Sequence, residues 1–296
     1  MLPISGEFTV FAPAKINLSL SIGDRRPDGF HAIESVFLAV DFGDYLRFSI
    51  QNEPSSYSGE SETIYNEFKA GPLSLSDTEY HILSDGCSLS IPDNIIPKAV
   101  SLFRKRTGFS RRIKIVTDKN IPIGGGLGGG SSDAAAVLTT LNKAAGFPCG
   151  RGELLEIGAA LGSDVPFFLY NTPAALVKGR GDIIEPVDMP EMFLALVNPG
   201  FPSDTGAAFR LLDERRKSMP DSSFINDFLP VFDEPEKSVY LRIISQLQEA
   251  GADNASLSGS GSTCFGVFSD WGKARKAAES LADKWSFVKA VKTYYF

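Results

Sequence analysis

The segment "IPIGGGLGGGSSDAAAVL", residues 121–138, constrains the fold more than any other, because six of the seven positions from 124 to 130 are glycine. A stretch almost without side chains cannot build a core. Yet it passes directly into serines and alanines, which suit a helix start and a helix interior. It follows the strand-like "RRIKIVTD" (111–118), so the order is strand, glycine loop, helix. Such a junction brings unpaired backbone N–H groups and the positive end of a helix dipole to one place, and the missing Cβ atoms let the backbone wrap an anion closely. Each glycine costs about 0.5–1 kcal/mol relative to alanine in regular structure, so a mere connection is a poor use of six of them. Anion binding is the expected role. The pattern G-x-G-x-x-G at Gly124, Gly126 and Gly129 is nearly automatic at this glycine density and decides nothing. A Rossmann unit wants an acidic residue about 20 positions on at a strand end, and here Glu153 falls in a helix-like run. A Walker A loop wants lysine after its last glycine, where this chain has Ser131.

The rest of the composition narrows the partners. A net charge of −7 over 296 residues repels polyanions, which argues against nucleic acid and anionic membranes, so any phosphate must be gripped locally. With 43% hydrophobic and 22% charged residues the chain is globular, long enough for one large or two moderate domains. Cys87, Cys149 and Cys264 are far apart and in no metal-type spacing, as expected for reduced thiols in ordinary packing. The opening "MLPISGEFTVFAPAK" has no basic n-region or continuous apolar core, and no run of 18 apolar residues occurs. A cytoplasmic protein is expected.

Strand-like "FTVFAPAKINLSLSIG" and "HAIESVFLAVDFGDYLRFSI" open the chain. Residues 51–92, rich in Ser, Gly, Glu, Asp and Pro, read as an irregular insertion or short hairpins without chemistry. "NIIPKAVSLFRKRTG" reads as a helix capped by Asp93 or Asn94 and closed by Gly108. After the glycine loop, Ser131, Ser132 and Asp133 can cap a helix to about Ala145, with Gly146 in the left-handed conformation and Pro148 beyond. "GELLEIGAALGSD" is a second short helix, and "AALVKGRGDIIEPV" a hairpin turning at 179–182. From "MFLALVNPG" onward the order is strand, helix, helix, strand, strand, helix, strand, which suits a ferredoxin-like α+β domain. The division is placed near residue 175, giving domains 1–175 and 176–296.

"PIGGGLGGGSSDAAA" resembles the second motif of the GHMP small-molecule kinases, "PAKINLSL" (13–20) their first and "ASLSGSGSTCFGVF" (255–268) their third. Three motifs in order are specific where each alone is modest. The resemblance implies a two-domain GHMP kinase fold, α+β, with an N-terminal ribosomal-S5-like ATP-binding domain and a C-terminal ferredoxin-like substrate domain. It also implies transfer of the γ-phosphoryl group of ATP to an alcohol. Within the superfamily "RRPDGFHAIESVF" and "LGSDVPFF" look most like the branch that phosphorylates the 2-hydroxyl of a cytidine diphosphate-linked methylerythritol in non-mevalonate isoprenoid biosynthesis. The alternatives are another small-alcohol kinase, acting on homoserine or mevalonate, and a diphosphomevalonate decarboxylase. The decarboxylase calls for arginines near the loop, and none is placed for that.

The resemblance assigns roles residue by residue. Asp164 is the proton acceptor, with a helix-terminal carboxylate bonded to backbone as the plainer alternative. Lys15 lies near it, keeping it ionised and steadying the reacting oxygens, and Asn17, on the same strand face, orients the acceptor. A cytosine ring wants an aromatic face and polar groups at its edge, which Phe30 and His31 offer. The family commonly has tyrosine where this chain has Phe30, so the stacking face is kept and a hydroxyl lost. Thr205 and Phe209, four apart in "DTGAAF", are a hydrogen-bonding residue and a second cytosine wall, or else a helix cap and a core residue. For ATP the resemblance points to Pro122, Gly124, Gly125, Gly126, Leu127, Gly128, Gly129, Gly130, Ser131 and Ser132 around the phosphates. Asn94, Ile95 and Lys119 are matched to the adenine side. Mg²⁺ is expected, held mostly by phosphate and water, with a hydroxyl of Ser131 or Ser132 as the candidate protein ligand. Gly259 and Gly261 let backbone approach the site, though a tight hairpin also explains them. A monomer or weak homodimer acting on a small molecule is expected.

Overall fold

The computed structural model describes residues 6–27, 29–54, 73–75, 78–84, 87–88, 94–216 and 225–296. Asp93, the alternative cap, lies outside them. The described chain is α+β and groups into two compact units, each assembled from interleaved segments. The first comprises 1–12, 43–120 and 129–170; the second comprises 13–42, 121–128 and 171–296. The interleaving arises because two long strands, β1 (Gly6–Arg25) and β2 (His31–Pro54), each contribute to both.

In the first unit the second half of β2 pairs antiparallel with β6 (Arg111–Asp118), Tyr45 opposite Asp118. Alternation along β6 buries Ile113 and Ile115 on one face, the period-two pattern its sequence predicts. Residues 51–92 bear out the second of the two expectations, short hairpins, and add a long-range pairing that the sequence does not announce. β2 runs on to Pro54, and the segment supplies β3 (Leu73–Leu75), β4 (Thr78–Ser84) and β5 (Cys87–Ser88). β4 lies parallel to β6, Thr78 opposite Ile113, so part of the supposed insertion belongs to the sheet. The polar composition conceals strands whose partner is non-local.

Four helices of this unit lie among the described residues. α1 (Ile95–Thr107) is capped by Asn94, whose side chain accepts from the Ile96 N–H at 2.7 Å, and it ends on Gly108 at φ +72°. Its buried residues Ile96, Ala99, Val100 and Phe103 follow the 3–4 spacing of one helix face, and each large one contributes about 1.5–3 kcal/mol by burial. α2 (Gly129–Ala144) starts two residues before the predicted caps, so Ser131, Ser132 and Asp133 lie within the helix. Among the described residues no side chain accepts a hydrogen bond from its first N–H groups, the arrangement in which a helix start can receive an anion. α3 (Arg151–Leu161) begins at Gly150, whose N–H donates to Glu153 at 3.0 Å. A short α4 (Val165–Tyr170), which the sequence pattern does not announce, follows directly; Pro166 at its second position suits a helix start.

In the second unit the first half of β2 pairs with β7 (Ala174–Gly179), which forms the predicted hairpin with β8 (Ile183–Pro186). β9 (Phe193–Asn198), α5 (Thr205–Arg215), α6 (Glu236–Glu249), β10 (Asn254–Leu257), β11 (Cys264–Phe268), α7 (Trp271–Leu281) and β12 (Phe287–Lys292) complete it. The sheet order β10-β11-β9-β12, antiparallel throughout, is the expected ferredoxin-like arrangement. Val197, Leu212, Ile243, Leu247, Leu257 and Leu281 pack between sheet and helices. Cys264 lies in this core, where burial pushes its thiol far up, as befits a packing residue. No helix among the described residues is long and apolar enough to cross a membrane.

Candidate active site

The glycine loop is held by its carbonyls. In the second unit Gly124 O accepts from Ser203 N at 2.9 Å, Gly125 O from Thr263 N at 3.1 Å, Gly126 O from the Ser258 hydroxyl at 2.9 Å and Leu127 O from Lys15 N at 3.0 Å. These are four consecutive acceptors, each satisfied by protein. The N–H groups of Gly126, Leu127 and Gly128 have no protein acceptor among the described residues. Positive φ alternates along the loop, +67° at Gly124, +73° at Gly126 and +69° at Gly128, the backbone geometry of an anion-binding nest. At Gly126 a Cβ would stand 2.2 Å from Ser258 O and 2.7 Å from Gly261 O, so only glycine fits. The three sequence motifs therefore meet in one network, with Ser258 at its centre: its hydroxyl also accepts from Asn17 N at 3.2 Å.

Lys15 and Asn17 share a face of β1, as the strand period requires. Lys15 is buried, its ammonium donating to Asn17 Oδ1 at 2.6 Å and lying 4.7 Å from the centre of the Phe37 ring. Asn17 Nδ2 donates to Ser35 Oγ at 2.9 Å, and the Ser35 hydroxyl donates to Ser19 O. The amide of Asn17 is thus turned with its oxygen toward Lys15. The third motif is braced by Asn226, which donates to Leu257 O and Gly259 O at 2.7 and 2.8 Å, and by Asn198, which donates to the Ser262 and Thr263 hydroxyls, each at 3.0 Å. Gly259 and Gly261 have φ of +57° and +86°.

α5 is capped by Asp204, which accepts from Ala207 N at 3.0 Å, so Thr205 is the first helical residue and not the cap. The Thr205 hydroxyl lies 2.8 Å from that of Ser260 in the third motif. Phe209 stacks on His31, ring centres 4.9 Å apart and planes 17° from parallel. One turn further, Asp213 Oδ1 lies 2.7 Å from His31 Nε2. The helix therefore grips His31 by a stack and a hydrogen bond from the same face. Phe30 is half exposed and carries the Arg180 guanidinium 3.6 Å from its ring centre. Sequence reasoning misses Asp213, although its spacing of four from Phe209 is a usable signal.

In the first unit Asp164 is half-buried and immediately precedes α4, beside buried Val165, Phe167 and Phe168. Asn94 serves as the α1 cap, and Ile95 Cγ2 would lie 3.7 Å from a Cβ on Gly130. The Lys119 ammonium sits between two buried carboxylates, Asp44 and Asp133, at 2.9 Å from the latter. No motif or spacing in the chain announces this triad. Burial is the main influence on Asp133 and pushes its carboxyl up to about 7; Lys119 pulls it down and Asp44 adds to the rise.

An aspartate whose folded pKa lies above its unfolded value of about 3.9 takes up a proton on folding, so stability is lost as pH rises between the two values. Asp133→Asn removes that loss. Its melting temperature should gain on the wild type as pH rises from about 5 to about 8, read by thermal denaturation across the series; parallel curves would refute the shift.

The residues fit a magnesium ion only in part. Ser132 Oγ is buried and has no hydrogen-bond partner among the described residues, an atom that an ion or phosphate oxygen would satisfy. No group of three or more His, Cys, Asp or Glu side chains that could hold a metal occurs among the described residues. The ion's remaining ligands would be phosphate and water.

Known proteins with these segments are consistent. The family model of the GHMP kinases N terminal domain matches residues 94–172, and that of the GHMP kinases C terminal domain matches 209–286. A 4-diphosphocytidyl-2-C-methyl-D-erythritol kinase of Thermodesulfovibrio yellowstonii is 33% identical over 95% of this chain and 96% of its own. One from Anaeromyxobacter sp. is 37% identical over 92% and 86%. A crystal structure of 4-(cytidine 5'-diphospho)-2C-methyl-D-erythritol kinase superposes with a TM-score of 0.71 at 26% identity, covering 96% of this chain and 98% of that one. With both halves matched in order and relatives similar along nearly their full length, the loop, strand and serine-rich turn that meet at Ser258 have a common origin with theirs: the chain belongs to the GHMP kinase family.

Proposed function

We propose that this chain transfers the γ-phosphoryl group of ATP to the 2-hydroxyl of 4-diphosphocytidyl-2-C-methyl-D-erythritol, giving the 2-phosphate and ADP. One observation carries the kinase half of this reading: four consecutive loop carbonyls are bound by protein donors while the N–H groups of Gly126, Leu127 and Gly128 are left for an anion. The acceptor half is supported by relatives that bear that enzyme's name.

Phosphoryl transfer needs positioning, charge neutralisation and a destination for the hydroxyl proton. The loop from Pro122 to Ser132 holds the phosphates by backbone N–H groups, and Asn94 and Ile95 flank the adenine. The Ser132 hydroxyl would be a protein ligand for Mg²⁺, which would supply neutralising charge to the triphosphate. Asp164 takes the proton of the attacking hydroxyl. Lys15, buried and held by Asn17, supplies positive charge where negative charge builds up. Thr205, Phe30, His31 and Phe209 bind the nucleotide end of the acceptor.

Asp213 fixes what His31 can offer. Nε2–H donates to Asp213, so in the neutral ring Nδ1 is an acceptor. An acceptor there matches the exocyclic amino group of cytosine and opposes the O4 of uracil. Asp213→Asn can donate to Nε2 instead, which permits the other tautomer. The preference for cytidine over uridine nucleotides should fall about tenfold or more, measured as the ratio of dissociation constants. An unchanged ratio would remove His31 from base recognition.

The reading is tested by comparing kcat/KM for 4-diphosphocytidyl-2-C-methyl-D-erythritol, mevalonate and homoserine with Mg-ATP. Turnover should be confined to the first. Preference for either of the others would replace the acceptor and keep the kinase.

A further inference from the structure

We propose that Asp44, Lys119 and Asp133 form a staple that fixes the two ends of the glycine-rich loop, and that Asp44 and Asp133 are positioning residues for the triphosphate. This rests on the reading that the loop binds ATP. Lys119 is the first residue after β6, just before the loop, and Asp133 lies in the second turn of α2, just after it. Their ion pair at 2.9 Å spans 14 residues that include all six loop glycines. The β2–β6 register, Tyr45 opposite Asp118, brings Asp44 opposite Lys119. Asp44 completes the staple from the sheet, accepting from the Lys119 ammonium and, at 2.6 Å, from the Asn120 N–H.

The arrangement is an inefficient way to gain stability alone. It buries two carboxylates against one ammonium and leaves Asp133 Oδ1 without a hydrogen-bond partner among the described residues. Buried ion pairs of this kind are often no more stabilising than well-packed apolar residues. Their value lies in geometry. A glycine run has more conformations to lose on binding than any other sequence, and holding its ends in place removes part of that entropic loss before the nucleotide arrives. Lys119, matched by sequence to the adenine side, then acts through its two carboxylates, which engage two of its three N–H donors.

The test measures ATP dissociation constants, ATP and acceptor KM values and melting temperature for Asp133→Asn, Lys119→Met and Lys119→Arg in the full chain. Measured above the pH at which its carboxyl ionises, Asp133→Asn keeps an oxygen that can accept from Lys119 but loses the charge. Its ATP affinity should fall about 5- to 20-fold while the acceptor KM stays near the wild-type value, since only the nucleotide loop is released. Lys119→Met should lose at least as much, and Lys119→Arg should recover most of it. If Lys119→Met does not fold, Asp133→Asn decides alone. Wild-type ATP affinity in Asp133→Asn would overturn the proposal, as would losses of ATP and acceptor affinity that fall together in step with melting temperature. Failure of the wild type to bind ATP at all would overturn the kinase reading and the staple with it.

Discussion

Asp164→Asn is expected to lower kcat by about 10²- to 10⁴-fold, the usual contribution of a positioned general base. The ATP dissociation constant should change little, because the amide is isosteric and the phosphates are bound by loop backbone. The position makes the residue suitable: Asp164 is half-buried and sits directly before α4, whose Val165, Phe167 and Phe168 are buried. Pre-steady-state measurement of the chemical step separates this from slow product release. Full retention of kcat would mean that the proton leaves by another route.

Gly126→Ala should be the most damaging change of a single methyl group. Its Cβ would meet Ser258 O at 2.2 Å and Gly261 O at 2.7 Å, both backbone atoms, at a φ of +73°. Strain at positive φ costs about 1–3 kcal/mol, and forcing the third motif away costs a similar amount. Denaturant unfolding should show a loss of about 2–5 kcal/mol, with ATP affinity reduced more than tenfold. Gly152 provides the comparison. It lies in α3, where an added methyl group would have nothing within 4 Å, so Gly152→Ala should stabilise by up to about 1 kcal/mol and leave binding alone. Equal effects at the two sites would show that glycine at 126 serves flexibility and not close approach.

How much of this is legible in the sequence depends on the range of the interaction. β6 and α1 announce themselves by local period, and Gly108 and Gly146 by their places at helix ends, both at positive φ. The ferredoxin-like order is readable because each element of that unit has its own pattern. The start of α2 falls two residues ahead of its expected place because serines and aspartate look like caps, whereas here they lie inside the helix. β4 is hidden because its partner β6 is some thirty residues distant and parallel to it. Among the candidate site residues, those within motifs are readable, while partners supplied from elsewhere are not. Ser258 is only part of a longer motif, and its bonds to Asn17 and Gly126 emerge from folding. Asp44 becomes the partner of Lys119 only once the β2–β6 register is known.

The most direct measurement is the ³¹P spectrum of the products after the purified chain is incubated with Mg-ATP and 4-diphosphocytidyl-2-C-methyl-D-erythritol carrying ¹³C at C2. The account predicts one new phosphomonoester resonance coupled to that carbon, formed in equal amount with ADP and lost in Asp164→Asn. ADP released with inorganic phosphate and no coupled resonance, or a phosphate attached at another carbon, would contradict it.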